Sequence, residues 1–282
     1  MLCARIAATG VSLPPNRIAD VSAVELGARA ARQALGDGPP PDLLLWTAAA
    51  ARQAIPDTGV FLSRELGFDR IPTFTVHATC LSLLVGLRLA AMHVATGAAR
   101  RVLVVSGERG TRGVADPEGV AMLGDGGAAV IVEPADDGGL LAFRMETWPA
   151  GAELSEVRGG GEREPLDDTA FRMNARALYK FARRRLEPVL FGAIADAGLT
   201  PADIRLVIPH QASRATMAAW GHVGFGPDRV IDVFDRTGNC VSASIGHALH
   251  EALTSGRAAK GDTVLVFGTG AGVSAAAAVW RL

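Results

Sequence analysis

A thiol at position 80, an imidazole at 210 and a carboxamide at 239 are the side chains whose types and settings could do chemistry. Cys80 stands where an apolar strand gives way to a long apolar helix. A thiol at a helix N-terminus feels the positive end of the peptide dipoles, which favours the nucleophilic thiolate. An arbitrary free cysteine is more often a small buried hydrophobe, and that is the reading for Cys3 and Cys240. His210 follows the apolar run of LVIPHQASR, at a strand's carboxyl end, where α/β sheets place ligand-contacting groups. His93, His222, His247 and His250 fall in helical stretches without that setting, and His77 reads as structural. Asn239 in RTGNCVSAS precedes a helix, where a turn or N-cap role would account for it. Beside an imidazole, its amide could instead hold a thioester carbonyl oxygen and stabilise an enolate as it forms.

The elements that would position these groups come from a duplication. Cys80 and Cys240 are 160 residues apart, and Ser82/Ser242, Gly86/Gly246 and Leu89/Leu249 keep that phase. Each copy reads strand, turn, helix, strand, so the chain is expected to pack two similar halves together rather than form a solenoid. Strands are predicted over 4–9, 43–47, 73–77, 102–107 and 128–133, then over 140–147, 204–209, 230–234, 263–267 and 274–280. Several are apolar throughout, as strands covered on both faces are. Helices are predicted over 21–35, 58–66, 81–96, 173–197, 213–223 and 241–255, with Gly97, Gly198 and Gly256 as C-caps. The division expected is an N-terminal half over 1–150, a polar Gly-rich surface loop over 151–169 and a C-terminal half over 170–282. Gly124–Gly127 (GDGG) reads as a tight turn into a buried strand. The run FGTGAGVS from Phe267 to Ser274 lacks the register of a phosphate loop and reads as backbone brought close to Cys80.

Composition excludes other classes. At 282 residues, 49% hydrophobic and 20% charged, the chain can fill a large core. A formal net charge of −1 gives no case for nucleic acid or an anionic membrane as partner. The opening MLCARIAATGVSLPP has no signal-peptide pattern, and the helix after Cys80, interrupted by Arg88 and His93, is short of a membrane span. Three scattered cysteines argue against disulfides and zinc and for a reducing cytoplasm.

HATCLSL, GDGGAAVIV, IPHQASR, TGNCVSAS and FGTGAGVS, in this order across nearly the whole chain, resemble the ketoacyl-ACP synthase III branch of the thiolase superfamily. The resemblance implies a thiolase fold, two βαβαβαββ halves packed as five αβαβα layers, in a homodimer. It implies Cys80, His210 and Asn239 as the catalytic set, with the N–H groups of Cys80 and Gly270 as oxyanion hole. The implied reaction is decarboxylative Claisen condensation through acyl-Cys80, with His210 neutral near pH 7 and neither metal nor cofactor. Acyl groups would arrive on the phosphopantetheine of an acyl carrier protein or on coenzyme A. Ser213 stands where the family has the Asn that touches pantetheine, and Arg214 beside it is available for phosphate. RMNARALYKFARRRL resembles the helix at the tunnel mouth, with Lys180 at the family's basic position.

Arg176, Lys180, Arg183 and Arg184 share one helical face in that segment. They read equally as a solvated face or as the dock for an acidic carrier. The family's stretch with Trp and R-T-G-I is missing, because SLPPNRIADVSAVEL runs almost straight into the first helix. Its absence favours a carrier protein over coenzyme A, and polyketide or other specialised metabolism over fatty-acid initiation. Two further readings stay open. One is acyl transfer to an alcohol, amine or thiol without decarboxylation; the other is a non-catalytic partner in a condensing heterodimer.

Overall fold

The first half of the chain alternates short apolar strands with helices that each present a small, apolar stripe. In the computed structural model, which describes residues 3–112, 114, 122–159 and 170–282, it reads β1 (Cys3–Ser12), α1 (Ala23–Leu35), β2 (Leu43–Trp46), α2 (Thr58–Glu65), β3 (Thr73–Thr75), α3 (Ser82–Ala95), β4 (Val102–Arg109) and β5 (Asp125–Ala135). Ser22 starts α1 by accepting the Glu25 N–H at 3.1 Å. Asp57 does the same for α2 through the Gly59 N–H at 2.8 Å. The sheet order is β1-β5-β4-β2-β3, with β2 parallel to β3 and β4 and with β5 antiparallel to β1 and β4.

The second half repeats the plan. Its sheet takes β6 (Gly139–Thr147), β9 (Leu206–Pro209), β10 (Thr263–Gly270) and β11 (Ser274–Arg281) in the order β6-β11-β10-β9. β6 precedes residue 150 yet hydrogen-bonds to β11. The helices are α4 (Ala175–Ala182), α5 (Leu186–Asp196), α6 (Arg214–Ala218), α7 (Phe234–Thr237) and α8 (Ala243–Thr254). A ribbon of β7 (Ser155–Val157) and β8 (Phe171–Met173) lies between the halves in sequence.

Burial gives the layers. Val24, Ala28 and Ala31 of α1 and Leu62 of α2 pack on one face of the first sheet, with Leu44, Trp46, Leu103 and Ile131. Leu84 and Leu87 of α3 and Ile245 and Leu249 of α8 lie in one core with Val104 and Val130 of the first sheet and Val266 and Ala276 of the second. Val189, Leu190 and Ala193 of α5 cover the far face of the second sheet against Leu265 and Val279. The result is the five-layered αβαβα thiolase arrangement, with the two repeat helices at its centre. Among the described residues, no helix is long and apolar enough to cross a membrane.

Four local expectations are corrected. Segment 230–234 is not a strand: only Val230 bridges Val207. The buried Gln211 side chain takes over its backbone instead, accepting the Val233 N–H at 3.0 Å and donating to the Ile231 carbonyl at 3.1 Å. The helix expected over 173–197 breaks after Ala182, because Pro188 could not donate to the Arg184 carbonyl and its ring would clash there; α5 restarts with this proline in its first turn. Gly124–Gly127 leads into and opens β5 rather than forming a turn. The surface loop expected over 151–169 contains β7 up to Val157, and its part over 160–169 lies outside the described residues.

Close approach in the central layer depends on glycine. A Cβ on Gly246 of α8 would lie 2.3 Å from the Ala128 Cβ of β5 and 3.1 Å from Leu83 Cδ2 of α3. Both neighbours are themselves buried. G246V should therefore destabilise the fold by about 1–3 kcal/mol, seen as a lower urea midpoint with an unchanged m-value.

Candidate active site

Cys80 lies in a short 3-10 turn, Thr79–Leu81, immediately before α3. The turn is strained, since Thr79 takes a φ of 53°, a costly conformation for a β-branched residue. Ser82 holds it: its Oγ accepts the Ala78 N–H at 2.9 Å and donates to the Thr79 carbonyl at 2.7 Å. The end of β10 packs on this turn, and a Cβ at Gly270 would come within 2.5 Å of Thr79 Oγ1. The Cys80 thiol lies in hydrogen-bonding reach of its own N–H and of the Ala271 N–H. Ala271, which presents this second N–H beside the sulfur, directly follows Gly270, the residue read for the oxyanion hole.

His210 continues the line of β9, its N–H donating to the Phe267 carbonyl of β10 at 2.8 Å. It is 6% exposed, and its Nδ1 has no hydrogen-bond partner. Asn239 sits at the equivalent turn of the second copy. Its backbone bridges to Leu123, and Val241 after it has a φ of 47°. Asn239 Oδ1 accepts the Val241 N–H at 2.9 Å, while Nδ2 donates to the Ala212 carbonyl at 3.2 Å, two residues past His210. That leaves the second Nδ2 hydrogen for another acceptor. Gly268 joins the walls: a Cβ there would meet Leu81, Ile245 and the His210 Cβ at 2.8, 3.1 and 3.4 Å. The residue after Cys80 and the His210 side chain thus flank one glycine, and Asn239 is bonded to the His210 turn.

Burial sets the protonation states. It pushes the His210 pKa down to about 4, so the imidazole is neutral at pH 7. It pushes the Cys80 thiol up to about 12, with the nearby Glu108 carboxyl adding to the rise. The expected effect of the helix terminus runs the other way and is outweighed, being worth about 0.3–1 kcal/mol, less than one pH unit. The resting pair is neutral thiol and neutral imidazole, so the thiolate has to be made by proton transfer.

Of the residues read as carrier-binding, Ser213 and Arg214 directly follow the His210 turn. Arg214 is ion-paired at 2.5 Å to both Asp232 and Asp235 and rests over the Phe234 ring. Two carboxylates thus occupy the guanidinium expected to be available for phosphate. Ser213 is the N-cap of α6, its Oγ accepting the Thr216 N–H at 3.2 Å. Arg176, Lys180, Arg183 and Arg184 are exposed. Arg183 and Arg184 lie past the end of α4 and line an open groove of about 610 Å³ with Glu187, Pro188, Phe191 and Gly192. Phe181 of α4 and Val273 close together over Gly151, which leans the basic helix toward the β10–β11 turn. Sequence reasoning did not single out Ala271, whose contact with Cys80 is through its backbone N–H and leaves no side-chain signal. It also missed Glu108, whose signal was an acid closing the apolar run VLVVSGE. No group of three His, Cys, Asp or Glu side chains among the described residues could hold a metal ion.

Comparison with known proteins agrees with the fold. The family described as 3-oxoacyl-[acyl-carrier-protein] synthase III matches residues 74–149, and its C-terminal counterpart matches 194–282. A β-ketoacyl-[acyl-carrier-protein] synthase III of Desulfitobacterium hafniense is 32% identical over 249 residues, 84% of this chain and 75% of that protein. The crystal structure of 3-oxoacyl-[acyl-carrier-protein] synthase III from Aquifex aeolicus superposes with a TM-score of 0.92 at 27% identity, over 99% of this chain and 100% of that one. The priming β-ketosynthase of the R1128 polyketide pathway gives 0.91 at 26% identity, over 99% and 96%.

A depressed histidine pKa ties stability to pH. Between about 6.5 and 4 the unfolded His210 binds a proton that the folded one excludes, and His247, pushed to about 3 mainly by burial, behaves alike. The unfolded state then holds more protons, so stability present above pH 6.5 is lost as pH falls toward 4. The urea midpoint should drop across that window, and less steeply in H210N.

Proposed function

Because the chain belongs to the 3-oxoacyl-[acyl-carrier-protein] synthase III family, we propose that it joins two acyl thioesters through an acyl group held covalently on Cys80. As a member it is a condensing enzyme of the acyltransferase class. The meeting of the Cys80 turn and His210 at Gly268, with Asn239 bonded to the turn after His210, carries the reading of how it works.

In the first stage the neutral His210 imidazole accepts the Cys80 proton as the sulfur attacks the acyl carbonyl. The Cys80 and Ala271 N–H groups offset the charge on the tetrahedral oxygen. The carrier thiol leaves with the proton from His210, which restores the neutral ring. In the second stage a malonyl-type thioester binds with its carbonyl oxygen between His210 and the unused Asn239 Nδ2 hydrogen. Carbon dioxide departs, the enolate carbon attacks acyl-Cys80, a C–C bond forms and the C–S bond to Cys80 breaks, the departing thiolate taking a proton from solvent to restore the neutral thiol. A cationic His210 would stabilise the malonyl carboxylate and so oppose its loss; burial keeps the ring neutral.

The acyl groups travel on phosphopantetheine, and no step needs a metal or a further cofactor. A carrier protein suits the donor role better than coenzyme A. The connection from β1 to α1 is short, and Ala19 within it is tied down by Asp125 and Arg109 at 2.8 and 2.7 Å. The exposed Arg176, Lys180, Arg183 and Arg184 provide positive charge for an acidic carrier near the β10–β11 turn. Likeness to a polyketide priming synthase supports a place in polyketide or other specialised metabolism. A dimer, with a second copy or a homologue, would cover the exposed Phe74 on the edge strand β3 and the exposed Val60.

Intact-protein mass spectrometry tests the reading. Exposure to acyl-carrier thioesters should add one acyl mass, absent in C80A, and malonyl carrier should then release CO2 and 3-ketoacyl product in equal amounts. An adduct discharged without CO2 means acyl transfer to another nucleophile, and no adduct at all means a non-catalytic partner.

A further inference from the structure

One buried acid beside the candidate nucleophile has no part in the steps above. Glu108 ends β4 and is 2% exposed. Its Oε1 accepts the Ala49 N–H at 2.7 Å, and the carboxyl also receives the Ser242 N–H. Ser242 precedes α8; its Oγ accepts the Leu83 N–H of α3 at 2.9 Å and donates to the Thr47 carbonyl at 2.7 Å. A single side chain therefore fastens the loop after β2 and, through Ser242, the starts of both repeat helices. Burying a carboxyl is costly, and this one lies close enough to Cys80 for its charge to act on the sulfur.

We propose that Glu108 is a positioning residue for Cys80: it fixes the nucleophile turn against the α8 turn, and its charge state sets how readily the thiolate forms. The proposal rests on Cys80 being the nucleophile. The other groups around Glu108 are accounted for. Cys240, across from it, is held protonated by burial, its thiol pushed up further than that of Cys80. His77 bonds the far side of the same loop, through the Ala49 carbonyl at 2.9 Å. Asp125 on β5 is occupied by Arg109 and by the Ala19 and Thr111 N–H groups. His247, beside Glu108's strand partner Gly126, is kept neutral by burial.

The sign of the coupling follows. Burial raises the Glu108 pKa to about 8. At pH 7 the carboxyl is mostly neutral and does not oppose charge on Cys80. Above pH 8 it ionises first and disfavours a second negative charge beside it.

The pH dependence of Cys80 alkylation by iodoacetamide, read by mass of the Cys80 peptide, tests this in wild type, E108Q and E108D. At pH 7 wild type and E108Q should react alike. Above pH 8 E108Q should react up to about tenfold faster, its midpoint lower by about one pH unit. E108D keeps the charge and should follow wild type even if less stable; a purely structural role would move both variants together. Coincident wild-type and E108Q curves would overturn the proposal. Should E108Q not fold, the wild-type curve decides: two inflections support the coupling, and a single-proton curve contradicts it. Failure of Cys80 to accept an acyl group would refute the proposed function and leave these curves interpretable.

Discussion

The architecture turns on a clasp at Ser242. Its hydroxyl, wholly buried, accepts from the Leu83 amide of one half and donates to the Thr47 carbonyl of the same half, while its own N–H reaches Glu108. Five polar groups are satisfied at one point in an otherwise apolar layer, where any left unpaired would cost about 1–3 kcal/mol. The duplicated serine at 82 does a different job, tightening the Cys80 turn from within. One serine shapes the nucleophile's turn, and the other locks the two halves in register.

From that register the chemistry follows by proximity. With α3 and α8 fixed side by side, the β10 end at Gly268–Gly270 can touch the Cys80 turn, and the loop after β9 can receive the Asn239 amide. His210 is buried and Cys80 half-buried, and desolvation by the surrounding protein holds both neutral at rest. In the proposed reaction, such a site trades a ready-made thiolate for an imidazole in the state that decarboxylation would require. Two positive-φ, β-branched residues, Thr79 and Val241, flank the catalytic turns, and the strain they carry is sustained by the surrounding layer.

Much of this was readable in the residues. The 160-residue phase foretold the paired halves, and apolar runs located nine of the strands to within a few residues. The misses share a cause: they depend on partners distant in sequence. Gln211 replaces main-chain pairing along 230–233, and the desolvation of Cys80 outweighs its helix dipole. None of these leaves a periodicity to find. The helix break before Pro188 was local and could have been anticipated from the proline alone.

The account stands or falls on division of labour between the two halves, with the first supplying the nucleophile and the second the enolate-stabilising pair. Single-turnover measurement of the two half-reactions in N239A separates them most directly. Acyl-Cys80 should form at close to the wild-type rate, while CO2 release from malonyl carrier falls by about 10²–10³-fold. Unchanged CO2 release, or an equal loss in both half-reactions, would contradict it.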